Sequence, residues 1–262
     1  MDYALRVNHK KKTTVSSEHR NEQFEYLQAM RQTFQGRQWP VISVDTKKKE
    51  MIGNFKSVGA AWSQEPRLVN DHDFQRDAQG IAIPRGTYDP AANRGHVCVG
   101  RSHDTSAFAV DALGCWWQGE GQRRYPEASQ LLVLADSGGS NNCRHWGWKA
   151  NLQRKLCDRL GLTVTVCHYP PGSSKWNPIE HRLFSAISKN WAGRPLDSYE
   201  TVLNHLRTTK TKTGLVVTAC LMEGTYPLKL KVSKEIMAGL NLRPHDVLPQ
   251  WNYTISPSTT KM

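Results

Sequence analysis

Residues 131–142 read LLVLADSGGSNN, and this stretch decides how the chain is built. Leu131, Leu132, Val133 and Leu134 make a continuous apolar run, the pattern of a central strand covered on both faces. Asp136 stands where that strand stops. Gly138, Gly139, Ser140, Asn141 and Asn142 are turn formers, and a helical pattern begins beyond them. In open α/β sheets, ligands gather at the carboxyl ends of the strands, so an acid there is well placed to hold a metal. The alternative is an Asp that merely caps the turn or helix after it.

Working outward, Val41-Ile42-Ser43-Val44-Asp45 repeats the same grammar: a short β-branched strand that ends in an acid. Two such acids in one chain suggest a shared site. The Thr46-Lys47-Lys48-Lys49 segment that follows reads as a solvated turn or as a set of phosphate contacts beside the acids. On the other side, Arg144 to Leu160 is a helix, with Trp148, Leu152, Leu156 and Leu160 recurring every four residues and Gly161 stopping it. Thr163 to His168 is a further strand. Strand, helix and strand in this order make a right-handed unit whose two strands are parallel.

The loop Tyr169 to Pro178 leads into another helix, with Asn177 as N-cap and Pro178 at its first position. Glu180, Phe184, Ile187 and Trp191 fall at spacings of four, three and four, on one otherwise apolar face. A Glu that continues an apolar stripe faces inward, and a buried charge needs a partner, a metal or a shifted pKa. Alternatively, its first-turn position leaves it solvated and favours the helix dipole.

The rest of the chain is organised around these stretches. Residues 1–21 read as a basic arm or linker and residues 22–34 as a helix. Met51 to Val58 is expected as a strand paired with the first one through the lysine turn. Gly59 to Gly95 reads as loop, broken by Pro66, Pro84 and Pro90, with His72 and Asp73 as weak site candidates. His96 to Gly100 and Ala107 to Val110 are expected as two strands, and Asp111 to Gln118 as a helix whose Trp116 and Trp117 enter the core. Asp197 to Thr208 is a helix, Leu215 to Leu221 a strand or a buried helix, and Ser233 to Leu240 a short helix. Residues 22–255 then form one domain, with a polar tail at 256–262.

A chain of 262 residues, 38% hydrophobic with nine Trp, has enough apolar surface for a sizeable core. Its net charge of +12 points to a polyanionic partner, most often nucleic acid. The run His9-Lys10-Lys11-Lys12 supplies only three of the 35 Lys and Arg, so the charge is not confined to an arm. No run approaches the ~18 apolar residues of a membrane span, and the N-terminus lacks the apolar core of a signal peptide. Cys98, Cys115, Cys143, Cys157, Cys167 and Cys220 form no C-x-x-C pair, which argues against a zinc cluster. They read as reduced thiols of a cytoplasmic protein.

Asp45, Asp136 and Glu180 are thus the candidate site. The order strand, hairpin, strand, then strand–helix–strand and helix gives an α/β chain with a ribonuclease-H-like fold, a mixed central sheet flanked by helices. In it the two strand-borne acids converge at neighbouring strand ends and the helical Glu closes the cluster. Three hard oxygen ligands suit Mg²⁺ or Mn²⁺ rather than zinc. Two such ions clamp both sides of an in-line phosphoryl displacement, and a basic surface holds DNA.

Longer blocks carry a family resemblance. PVISVDTKKKEMIGNFK, HDF, YDPAANRGHVCVG, LLVLADSGGSNN, VCHYPPGSSKWNPIEHRLFSAISKNW, TGLVVTACL and WNYTISP run in order from about residue 22 to 257. They resemble the catalytic domain of bacterial insertion-sequence transposases of the Rhodopirellula-type DDE family. The resemblance implies metal-dependent DNA cleavage and strand transfer. It makes Asp45, Asp136 and Glu180 the catalytic and metal-binding triad, with two Mg²⁺ or Mn²⁺ ions. It implies double-stranded DNA, as transposon ends and target, as partner, a homo-oligomer assembled on it, no membrane, and a place in the bacterial cytoplasm with the nucleoid.

By position, Lys47, Lys48, His168, Lys175, Asn177 and His181 are candidate DNA contacts or supports of the acids, each with a purely structural alternative. His181 lies about 100° round the helix from Glu180. The first acid, at residue 45, leaves little room for the N-terminal DNA-binding region such transposases carry. A truncated copy, a fragment or an internally begun reading frame is the expectation. The competing functional readings are a catalytically silent DNA-binding remnant and a related nuclease that only hydrolyses DNA.

Overall fold

The computed structural model describes residues 18–258. In chain order its strands are β1 (Val41–Thr46), β2 (Glu50–Ile52), β3 (Gly80–Asp89), β4 (Arg94–Gly100), β5 (Gln130–Ala135), β6 (Thr163–His168), β7 (Val216–Met222), β8 (Leu242–Pro244) and β9 (Asn252–Ile255). They form one mixed sheet in the order β7-β4-β3-β1-β5-β6-β9-β8, with β2 on β3. The apolar run of β5 is central, as its sequence requires: Leu131 to Ala135 are wholly buried. β5 pairs in parallel with β1 on one side and β6 on the other.

The helices cover both faces. One face carries α1 (Arg20–Gly36), whose Leu27 and Phe34 pack on Val41, Leu132 and Leu134. The same face carries α4 (residues 178–190) and α5 (Tyr199–Arg207), packed over β3, β4 and β7 through Ile179, Leu183, Phe184, Ile187, Val202 and Leu206. The opposite face carries α2 (Ser106–Trp116) and α3 (Trp146–Leu152), which bury Trp116, Trp148 and Leu152 against Ile42, Val44, Leu131 and Val133. A short helix, α6 (Lys234–Ala238), precedes β8. No helix of the described residues is long and apolar enough to cross a membrane.

Several expectations need correction. β2 does not fold back on β1. Both lie on β3, β1 opposite Arg85 to Tyr88 and β2 opposite Gly80 to Ala82. The lysine segment is therefore a jog in a chain that keeps its direction. It contains no Gly, Asn or Asp to supply the positive φ of a tight hairpin. β3 itself lies in the stretch read as loop, because Pro84 argued against a strand. The Pro84 carbonyl accepts from the Lys47 N–H, so the side on which Pro84 lacks its own N–H faces this jog, where the regular ladder is already interrupted.

Ala107 to Val110 belong to α2, not to a strand. The Thr105 side chain accepts from the Phe108 N–H as an N-cap, and the helix is mostly apolar because most of it is buried, with Asp111 on its half-buried side paired to Lys155. Leu215 to Leu221, left open between strand and helix, is the edge strand β7, parallel to β4. α1 starts at Arg20, inside the stretch read as arm; residues 1–17 and 259–262, the rest of that arm and the end of the polar tail, lie outside the described residues.

Close approach of α4 to the sheet depends on two glycines. A Cβ on Gly86 would lie 2.7 Å from Phe184 and 2.9 Å from Ile179, and one on Gly95 would collide with Leu183. Gly86 faces Asp45 across the β1–β3 ladder, so this contact sets how near α4 comes to that acid. Gly86→Val is expected to cost about 1–3 kcal/mol by overpacking, read as a lowered urea midpoint with an unchanged m-value.

Candidate active site

Strand register brings the first two acids together. Val44 pairs with Ala135, so Asp45 and Asp136 follow at the same level at the carboxyl ends of adjacent parallel strands. Alternation sends both side chains to one face: Ser43 and Asp45 on β1, Leu134 and Asp136 on β5. That is the face on which α4 lies.

Ser43 ties α4 to this point. Its hydroxyl oxygen accepts from the Ile179 N–H at 3.3 Å and also bonds the Asn177 side-chain oxygen, while Asn177 Nδ2 donates to the Val44 carbonyl at 3.3 Å. The expected N-cap therefore does not cap its own helix. Asn177 is fully buried and clamps the start of α4 to β1, and a serine from the sheet satisfies the helix N–H. Glu180 sits one residue beyond this clamp, half-buried, at the start of a widened π-turn, Glu180–Phe184. Such turns recur at functional sites because they re-aim side chains.

Crowding of negative charge marks the cluster. Burial pushes the Asp45 carboxyl up to about 7, and the charges of Asp136 and Glu180 push the same way. The Arg85 guanidinium and the Thr46 N–H, which donates to Asp45 Oδ1 at 2.7 Å, pull against them. Asp136 is also raised, again by burial first, with the Asn141 hydrogen bond and Arg85 opposing. Asn141 Nδ2 donates to Asp136 Oδ1 at 2.6 Å and to its carbonyl at 2.9 Å.

Arg85 and Asn141 were not singled out from the sequence. Arg85 is buried on the opposite face of the sheet, where Nη1 reaches Thr46, Ser140 and Asn141 at 3.0, 3.0 and 2.7 Å. Its other terminal nitrogen and Asp104 Oδ1 are both buried without a hydrogen-bond partner. Arg85 hid in a stretch read as loop, and Asn141 passed as an ordinary turn former.

The donor set fits hard divalent cations. It is all carboxylate oxygen, and burial first, with the neighbouring negative charges, holds the Asp45 carboxyl above its ordinary range against the pull of Arg85, a strain that a bound cation would relieve. Asp45, Asp136 and Glu180 do not belong to the tightest metal-type cluster among the described residues, whose ligand atoms all lie within 4.8 Å and which is elsewhere. A cavity of about 460 Å³ opens beside Asp136, lined by Ser137, Arg144, Pro170 and Trp251 among others.

The remaining candidates separate. Lys47 is half-buried between Glu50, at 3.6 Å, and the Trp191 ring, at 4.8 Å. Burial lowers its pKa, while Glu50 and Glu180 raise it. Lys48 and Lys175 are exposed, the latter stacked over Trp176 at 5.2 Å. His181 is exposed and bonds the Lys175 carbonyl. His72 lies in an exposed loop bonded to the Lys56 carbonyl, beside the exposed Asp73; neither joins the acids.

His168 is fully buried and is a support rather than a DNA contact. Its Nδ1 donates to the Asp136 carbonyl at 2.8 Å, which leaves Nε2 to accept from the Tyr253 hydroxyl at 3.2 Å. Tyr253 in turn accepts from Trp148 Nε1 at 2.9 Å. Burial holds the His168 pKa down at about 4. An unfolded chain takes this proton near pH 6.5 but the folded chain only near 4, so stability is retained above about 6.5 and lost as pH falls between those values. His168→Leu is expected to cost about 1–3 kcal/mol through the orphaned Asp136 carbonyl and Tyr253 hydroxyl, and to flatten this acid limb in urea midpoints measured from pH 7 to 4.

The family described as Rhodopirellula transposase DDE domain matches residues 1–257. The chain belongs to that family. No curated protein matches it in sequence. Among solved structures, this DDE domain is similar to the Mos1 transposase paired-end complex with left transposon end. The TM-score is 0.50 at 15% identity, over 77% of this chain and 57% of that one. It also matches the Mos1 strand transfer complex, with TM-score 0.49 and 17% identity over 77% and 56%. A third match is the Mos1 mariner paired-end complex with Mn, at 0.46 and 13% over 76% and 56%. The chain thus spans under three-fifths of these Mos1 chains. The DDE domain has the ribonuclease-H-like fold that the order of its elements implied.

Proposed function

We propose that this DDE domain cuts and joins DNA strands by divalent-metal catalysis, with Asp45, Asp136 and Glu180 as the metal-holding carboxylates. The observation that supports the reading is the register that sets Asp45 and Asp136 on adjacent parallel strand ends, with the helix that bears Glu180 clamped to the first of those strands by Ser43 and Asn177. Bound Mg²⁺ or Mn²⁺, as a pair, supplies an activated water or 3′-hydroxyl and stabilises the leaving oxygen. The protein's own part is positional. Asn141 and the Thr46 N–H aim one oxygen each of Asp136 and Asp45, and His168 fixes the backbone at Asp136. Lys47 adds positive charge beside Glu180, and Lys48 and Lys175 are free to meet phosphates.

The partner is double-stranded DNA, as transposon ends and target, and the net charge of +12 supports it. A homo-oligomer assembled on paired ends, working in the bacterial cytoplasm at the nucleoid, completes the reading. The test is incubation with supercoiled plasmid and with duplexes carrying the element's ends, with Mg²⁺, Mn²⁺ or chelator. Metal-dependent nicks followed by joined products are expected. Nicked ends that never join indicate a hydrolytic nuclease, and salt-sensitive DNA binding without cleavage indicates a silent remnant.

A further inference from the structure

We propose that His96, Cys98, Cys115 and Cys220 form a structural zinc site, separate from the three acids. Their ligand atoms all lie within 4.8 Å of one another. Cys220 Sγ is 3.5 Å from Cys98 Sγ, 3.5 Å from Cys115 Sγ and 3.9 Å from His96 Nε2. Zinc bound at ~2.3 Å to sulfur and ~2.0 Å to nitrogen in a tetrahedron separates its ligands by about 3.5–3.8 Å. The three spacings from Cys220 are close to the edges of such a tetrahedron, and the remaining ligand atoms are near enough to close on an ion by small side-chain adjustments. They are not a disulfide, whose sulfurs lie ~2.05 Å apart.

Backbone geometry makes the cluster. His96 and Cys98 are two apart on β4 and so share a face. Cys220 is the direct partner of Cys98 across the parallel β4–β7 ladder, and Thr218 is the partner of His96. α2 packs on that face and delivers Cys115. The histidine is oriented as a metal ligand is: Nε2 points at the thiols, and Nδ1 is engaged by the Thr218 hydroxyl at 2.8 Å, with Glu120 Oε1 at 3.7 Å. Thr218 also bonds Glu120, which pairs with Arg94. A histidine ligand is normally held this way through its other ring nitrogen, by a polar partner that fixes its orientation.

Three sulfurs and one imidazole, buried to half-buried, select a soft tetrahedral cation over Mg²⁺. A complete set of four leaves no open position, so the site is structural rather than catalytic. It pins the edge strand β7 and helix α2 to β4, next to the strand that carries Arg85. The expectation against zinc rested on the absence of C-x-x-C pairs. Here the ligands are scattered over more than a hundred residues, and only strand pairing assembles them.

The test is metal analysis of the intact chain purified without chelator, followed by Co²⁺ substitution of the chelator-stripped chain. One zinc per chain is expected, with Co²⁺ giving the thiolate charge-transfer and intense visible bands of a tetrahedral site. Stripping should lower the melting temperature, and Zn²⁺ but not Mg²⁺ should restore it. Cys115→Ser/Cys220→Ser should lose the zinc and the Co²⁺ bands. Cys157→Ser, a buried thiol outside the cluster, should keep both. Zinc retained at one per chain by the double variant overturns the proposal. So does a folded wild-type chain that takes up neither Zn²⁺ nor Co²⁺ under reducing conditions. The wild-type Co²⁺ spectrum decides the matter even where the double variant fails to fold.

Discussion

Asp136→Asn is expected to fold normally and to lose at least about 10³-fold in metal-dependent DNA strand cleavage, with Asp45→Asn and Glu180→Gln losing comparably. The substitution keeps the size of the side chain, and its amide still accepts from Asn141 through one oxygen. What it removes is the charge. Asp45 and Asp136 are both held above the ordinary carboxylate range, by burial first, so removing one charge relieves repulsion and should leave stability equal or higher. Falling activity with rising or unchanged stability is a pairing that general damage to the fold does not produce. Mn²⁺ titration calorimetry reads the same change without DNA: heat of binding in the intact chain, weakened or absent in Asp136→Asn. Near-normal Mg²⁺-dependent nicking by any of the three variants would sink the assignment of the triad.

Arg85→Leu is expected to be the most damaging single substitution for stability, at about 3–5 kcal/mol, the usual cost of removing one partner from a buried charge network. Arg85 is wholly buried, and its guanidinium binds Thr46, Ser140 and Asn141 at once, joining the exit of β1 to the turn after β5. It is also the positive charge that opposes the raised pKa of both aspartates. Arg85→Lys keeps the charge but puts a compact ammonium on a flexible stem where a planar guanidinium stood, so it should recover part of the stability and little of the site's order. Chemical denaturation of the three proteins, with and without Mg²⁺, checks this. A loss under about 1 kcal/mol for Arg85→Leu would mean that the acids and the turn hold together without it.

The remaining contrast lies between local and distant information. Asp45 and Asp136 were legible because a buried strand that ends abruptly in an acid is a local pattern, and the parallel pairing of β5 and β6 follows from the strand–helix–strand order. Glu180 was legible as an acid on an apolar stripe. The clamp that brings it to β1 was not, because Ser43 and Asn177 are over a hundred residues apart and read singly as strand and cap. β3 was missed for a similar reason. Pro84 is a local signal against a strand, and the jog in the neighbouring strand that accommodates it is a tertiary fact. The sequence by itself determined the central strands, the acids at their ends and the family. Tertiary structure alone decided what surrounds them: the buried Arg85, the supporting His168, and the four metal-type ligands on β4, β7 and α2. Strand pairing brings residues together by register, and register is set by packing across the whole sheet rather than by any residue's neighbours in the chain.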